Sequence, residues 1–261
     1  MKILMCPPTK FDVIYEINPW MDVTNKPDKK LAQKQWESLY NLYRKLGVEV
    51  ELIEQGDNLP DMVFTANGGT VYNDTFVSGN FRFKERKGEE AYFQKWFRKK
   101  GYQVITLPYN QGGEGDALFY RGTLYMGYGF RSDKKAHEEM GKLLKVPTVS
   151  LKLINPYFYD FDTTFCAVGD RAVLIYPEAY DKNDREKAMS IPGAIPMTKQ
   201  QADNFIANSV YIDGKLLVGY LDEDLKNKLK KIDVQPVLLN MSEYKKAGGG
   251  IKCLTLYLER N

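Results

Sequence analysis

Apolar positions along this chain fall in short runs that read as strands, and tight-turn residues join those runs into hairpins. One hairpin turns at Asn73-Asp74, between MVFTANGGTVY and TFVSG. Others turn at Arg121-Gly122 between ALFY and TLYMGYG, at Gly169-Asp170 between TTFCAV and AVLIYP, and at Asp213-Gly214 between SVYI and KLLVGY. Successive turns lie about 44 to 48 residues apart, which marks an internal repeat. Charged stretches follow the hairpins, several with apolar residues at i, i+3 or i+4, and predict helices over 85–100, 134–144 and 223–231, with another over 29–46. Each helix leads to a further strand, such as VEVELI, YQVITL or VQPVLL. The third repeat is the least regular, because a helix over 181–190 is followed by IPGAIPM and a second helical stretch.

Continuing the period beyond Gly214 places a fifth hairpin across the chain ends, with CLTLYL paired to KILMC. That pairing closes the repeats into a ring, which removes the exposed sheet edges an open array leaves and points equivalent positions at one axis. The competing arrangement is an ordinary mixed sheet with helices on both faces. One domain covering 1–261 is expected.

Composition narrows the class without naming a function. With 43% hydrophobic and 27% charged residues, the chain has the make-up of a globular protein. No run approaches the roughly 18 apolar residues of a membrane span. The start, MKILMCPPTKF, has too short an apolar run for a secretory signal and reads as a strand. Cys6, Cys166 and Cys253 lie far apart with no CxxC pair, which argues for a reducing, cytoplasmic setting and against structural zinc. A net charge of +3 is weak support for a polyanionic partner, and the lysines of 226–231 sit on an amphipathic helix as a solvated face. Neither nucleic acid nor membrane is expected as a partner, and homo-oligomerisation is left open.

The candidate chemistry sits at one phase of the repeat. Just before or at the start of each hairpin's first strand come Asp61 and Asn67, Glu114 and Asp116, Asp160 and Asp162, Asn208, and Cys253. From Asp116 through Asp162 and Asn208 to Cys253 the steps are about 45 or 46 residues. Carboxylates gathered around one thiol repel one another unless a cation lies between them. A guanidinium group meets that need, since its planar fork of N–H donors matches carboxylates. Its carbon is a poor electrophile, so attack on it calls for a thiolate and a means of protonating the departing amine. Arg86 and Arg131, each after a hairpin's second strand, are candidates to bind a substrate carboxylate, with Arg82 an alternative to Arg86. Taken one at a time, these residues have plainer readings as turn caps, loop carboxylates and surface arginines.

Taken together, MCPPTKFDVIYEINPWM, PDMVFTANGG, GGEGD, GYGFRS, FYDFDTTFC, IYPEAY and AGGGIKCLTL resemble the guanidine-modifying superfamily of arginine deiminases, arginine dihydrolases, dimethylarginine dimethylaminohydrolases and amidinotransferases. The resemblance implies a five-bladed α/β propeller, the pentein fold, with pseudo-fivefold strand-strand-helix-strand repeats closed by the terminal strands. It implies that Cys253 is the nucleophile that forms a thiouronium intermediate and that Glu114 orients the catalytic acid/base. It makes Asp61, Asn67 and Asp162 contacts to the substrate head, and Arg131 with Arg86 the carboxylate clamp. Asn18 and Asn67 are most similar to the archaeal and cyanobacterial arginine dihydrolases. A small guanidino amino acid is the implied substrate, and neither metal nor organic cofactor is needed.

One position departs from the pattern. Where the superfamily has His-x-Asp, this chain has Asp160-Phe161-Asp162, so Asp160 occupies the place of the general acid/base. The lone histidine, His137 in KKAHEEM, is expected on the surface. Two readings follow: a hydrolase or amidinotransferase-type enzyme acting on arginine or a related guanidino compound, foremost an arginine dihydrolase, deiminase or dimethylargininase-like enzyme using Asp160, or a propeller that binds a guanidino ligand or a macromolecule without turnover. A phosphate-cradling loop is excluded, because neither GGEGD nor AGGGIK carries the Gly-x4-Gly-Lys-Ser/Thr arrangement.

Overall fold

The computed structural model describes residues 1–260 and contains five three-stranded sheets built to one plan. In the first, Gly69–Tyr72 pairs antiparallel with Thr75–Ser78, and Gln103–Ile105 adds parallel after the helix Lys87–Lys99. The second uses Ala117–Tyr120, Thr123–Tyr128 and Thr148–Lys152 with the helix Lys134–Leu144. The third uses Phe165–Val168, Ala172–Ile175 and Ala194–Pro196 with Lys182–Met189. The fourth uses Val210–Ile212, Lys215–Val218 and Gln235–Leu238 with Glu223–Lys231.

The fifth sheet joins the two ends of the chain. Leu256–Glu259 pairs antiparallel with Lys2–Met5, which pairs parallel with Glu49–Leu52 after the helix Lys29–Lys45. Five pseudo-equivalent blades and their closure through the terminal strands are therefore as the repeat predicts. The irregular third repeat keeps the plan, and its second helical stretch forms the short helix Lys199–Asp203 between blades.

Local chemistry accounts for these elements. Four hairpins turn at the expected residues, where Asn73, Arg121, Gly122, Gly169, Asp213 and Gly214 take positive φ, as tight hairpins require. Asp28, Asp181 and Asp222 cap their helices by accepting backbone N–H bonds. Among the described residues, no helix is long and apolar enough to cross a membrane.

Two expectations need correction. His137 is only 2% exposed, because its helix turns Ala136, His137, Met140 and Leu144 inward on one face. Its ring shares a hydrogen bond with Ser150 Oγ at 2.9 Å and meets Tyr128 edge-on. Cys253 does not open a strand. It lies in a tight turn, with Leu254 N–H bonded to Gly250 O and Thr255 N–H to Lys252 O, and the strand begins at Leu256.

Candidate active site

Short 3₁₀ turns precede the inner strands and carry the polar residues to one end of the ring. Asp61 lies on the turn Pro60–Val63, Asn67 on Thr65–Gly68, Glu114 on Gly113–Gly115 and Asp162 on Phe161–Thr163. Gly113 is required here: its φ is +59°, and a Cβ would stand 2.5 Å from Ala66 O.

Cys253 is 3% exposed and held on two sides. Its Sγ lies 3.1 Å from Asp162 Oδ2, to which the thiol donates. The Asn208 amide Nδ2 donates to the same sulfur at 2.9 Å, while Asn208 Oδ1 accepts Cys253 N–H at 3.1 Å. Burial, then the charges of Asp162 and Asp160, push the thiol well above its ordinary range, so the resting group is neutral. Burial and Asp160 also hold Asp162 up to about 7.

Asp160, also buried, accepts from Asn67 Nδ2 at 3.3 Å. It faces Arg131 Nε at 3.5 Å, an ion pair too long for a well-formed hydrogen bond. Arg131 is sandwiched by aromatic faces, 4.4 Å from the Tyr159 ring centre and 5.6 Å from that of Phe83. Asp116 supports this segment by accepting Phe161 N–H at 3.0 Å and the Ser132 hydroxyl. Its own carboxyl is pushed up by burial and by Asp160. One oxygen each of Asp61, Asp160 and Asp162 is buried without a hydrogen-bond partner.

Asn18, Asp61, Asn67, Arg86, Arg131, Asp160 and Cys253 line one small pocket with Tyr159 and Gly248. Its volume is about 10 Å³, room for about one water molecule. Tyr159 O–H donates to Gly248 O, and Asn18 Nδ2 donates to Ala247 O, so the segments around the mouth are latched together. Gly248 has φ +81°, and a Cβ there would sit 2.4 Å from the Tyr159 hydroxyl.

Two of the expected site residues are engaged by other groups. Among the described residues Glu114 makes no hydrogen bond to Asp160. It accepts from Lys252 Nζ at 2.9 Å, from Tyr257 N at 3.1 Å and from Arg260, so it belongs to an ion cluster beneath the site. Arg86 is not a free clamp, because its Nε and one terminal nitrogen bind both oxygens of buried Glu89 at 2.8 Å. Its other terminal nitrogen binds Asn67 Oδ1 at 2.9 Å. Arg82 pairs with Asp133 in a half-exposed bridge away from the pocket. The repeat phase singled out Asn208 and Asp116 without giving them roles. Glu89, Tyr159 and Lys252 carried no sequence signal, since only packing identifies their partners.

A family model described as "N,N dimethylarginine dimethylhydrolase, eukaryotic" matches residues 9–260. The chain belongs to this family. It is thus a member of the guanidine-modifying superfamily and an enzyme of the amidinohydrolase kind. The chain is 39% identical over 253 residues to an N(G),N(G)-dimethylarginine dimethylaminohydrolase of Mycobacterium tuberculosis, covering 97% of this chain and 84% of that protein. It is also 39% identical over 264 residues to a bifunctional arginine dihydrolase/ornithine cyclodeaminase of Synechocystis, covering 98% of this chain but only 37% of the relative. The N-terminal domain of a cyanobacterial arginine dihydrolase, solved bound to substrate, superposes with TM-score 0.93 at 38% identity, covering 98% of this chain and 97% of that one. A variant of the same domain, solved covalently bonded to a reaction intermediate, also gives TM-score 0.93 at 38% identity, covering 98% of this chain and 96% of that one. These relatives establish the family's chemistry as hydrolysis of guanidino groups of arginine type.

Proposed function

We propose that this chain hydrolyses the guanidino group of free arginine or an N-methylated arginine through a thiouronium intermediate on Cys253, acting in the cytoplasm as a single catalytic unit. The observation that carries this reading is the contact of Cys253 Sγ with Asp162 and Asn208, in a pocket whose acids keep unpartnered oxygens. A guanidinium ion supplies the donors those oxygens lack. Its charge also offsets the carboxylates that hold the thiol neutral, so substrate binding itself favours the thiolate.

Asp116, Asp160 and Asp162 are buried within electrostatic reach of one another, and burial with Asp160's charge raises the other two. Such a cluster keeps protons that separate carboxylates release. In the first step the sulfur–carbon bond forms, a carbon–nitrogen bond breaks, and the amine leaves with a proton from this cluster. The thiol proton passes to Asp162. Asp160, in the place of the superfamily's histidine, then takes a proton from water as water attacks the thiouronium carbon and releases the sulfur. Asp61 and Asp162 hold the guanidinium, while Arg131 binds the substrate carboxylate. Asn18 lies at the mouth, which must open because about 10 Å³ cannot admit an amino acid.

The test is to incubate the protein with arginine, methylated arginines and agmatine from acidic to neutral pH, with Cys253→Ala alongside. Product and a Cys253 adduct by mass spectrometry are expected; the absence of both with every compound removes the proposal. Asp160 in the histidine's place favours one other reading, a guanidino-ligand binder without turnover. Calorimetric binding of arginine with neither product nor adduct identifies it.

A further inference from the structure

A second cavity lies apart from the one that holds Cys253. It encloses about 670 Å³ at the hairpin-turn end of the ring, opposite the catalytic end, and the two share no lining residue. That volume is typical of small-molecule sites. Lys252, Glu114 and Arg260 form the ion layer beneath the active site, and Lys252 and Arg260 also line this second cavity.

Its walls combine apolar surface with unused donors. Leu118, Phe165 and Tyr211 supply an apolar and aromatic lining. Ser209 lines the cavity and is 3% exposed, and among the described residues its buried hydroxyl has no hydrogen-bond partner. Ser209 adjoins Lys252 through the preceding residue, whose carbonyl accepts Lys252 N–H. The Lys252 ammonium directs two of its three donors to Glu114 and Thr255 O and lies 5.0 Å from the Tyr257 ring centre, so among the described residues one donor has no hydrogen-bond acceptor. Among the described residues Arg260, with five donors, hydrogen-bonds Val71 O and Glu114, and its guanidinium lies against the Phe119 and Tyr257 rings. Arg121 and Arg171 stand at the mouth with Asp170 and Asp213, whose residues are exposed to water. The lining therefore offers a buried hydroxyl and an ammonium group beside the apolar surface of Leu118, Phe165 and Tyr211, with the lining acids Asp170 and Asp213 exposed to water.

We propose that this cavity binds a small aromatic carboxylate, its carboxylate on Ser209 and Lys252 and its ring against Phe165 and Tyr211. Lys252 and Arg260 in the lining disfavour a cation such as arginine, so this site is distinct from the substrate pocket in ligand charge as well as place.

The test is calorimetry on the full chain with 1-naphthoate, its neutral amide 1-naphthamide, and arginine as competitor. Binding of one naphthoate per chain is expected, with Kd of about 0.1 to 1 mM. The amide is expected to bind about tenfold more weakly or worse. Ala167→Trp, which fills the cavity from its half-buried wall, is expected to abolish binding. The near-isosteric Ser209→Ala is expected to weaken it about 3- to 10-fold, and it decides the matter if the tryptophan variant fails to fold by circular dichroism. The proposal is overturned by no binding, by equal binding of the amide, or by affinity unchanged in the folded variants. Displacement by arginine overturns it too, because it would place the naphthoate in the substrate pocket.

Discussion

Asn208 grips Cys253 at both ends, its Nδ2 on the sulfur at 2.9 Å and its Oδ1 on the backbone N–H at 3.1 Å. The two residues come from successive blades at the same repeat phase, so closure of the ring places the amide beside the nucleophile. A neutral donor at this distance favours the thiolate among acids that oppose it.

Asn208→Ala is therefore expected to lower kcat about 10- to 100-fold, the worth of one hydrogen bond to a charged group. It is also expected to move the pH profile of Cys253 alkylation by iodoacetamide toward alkali. An unshifted alkylation profile would show that the amide only positions the loop.

Asp160→His restores the superfamily's general acid/base. Turnover of arginine or its methylated forms is expected to rise, since loss of such a group costs about 10²- to 10⁴-fold. Steady-state kinetics at matched pH decides it. A rate equal to or below that of the parent would mean that the carboxylate cluster already does this work.

Arg86 and Glu89 form a buried bidentate pair at the edge of the pocket. Arg86→Met strands the Glu89 carboxylate and should destabilise the fold by about 3–5 kcal/mol, as removing one partner of a buried pair does. Urea unfolding provides the measurement. A midpoint within error of the parent's would show that the pair adds no net stability.

His137 is held down to about 4 by burial, below its ordinary 6.5. The unfolded chain therefore takes up a proton that the folded chain refuses between those values, and stability falls as pH drops from about 6.5 to about 4. The loss approaches about 3 kcal/mol if the full shift is realised. Thermal melts of the parent and His137→Leu across this range should show the dependence shrinking in the variant; identical slopes would assign the acid sensitivity to other groups.

The repeat period, the hairpin turns and the strand that bridges the chain ends could all be read in the sequence, because each depends on local periodicity and turn chemistry that a few neighbouring residues specify. The candidate site was legible as a list for the same reason, since equivalent phases of a ring converge. Partnership was not legible. Glu114 and Asp116 stand two residues apart on one turn, yet one drops to Lys252 and Arg260 beneath the site while the other supports the Asp160 segment. Arg86 and Arg131 follow equivalent strands, yet Glu89 engages the first and two aromatic rings sandwich the second. His137 looked solvent-facing until helix packing turned it inward. The sequence by itself determined which groups reach the axis. Only the tertiary structure decided which of them meet, because hydrogen bonding and charge pairing act over a few ångströms between residues tens to hundreds of positions apart.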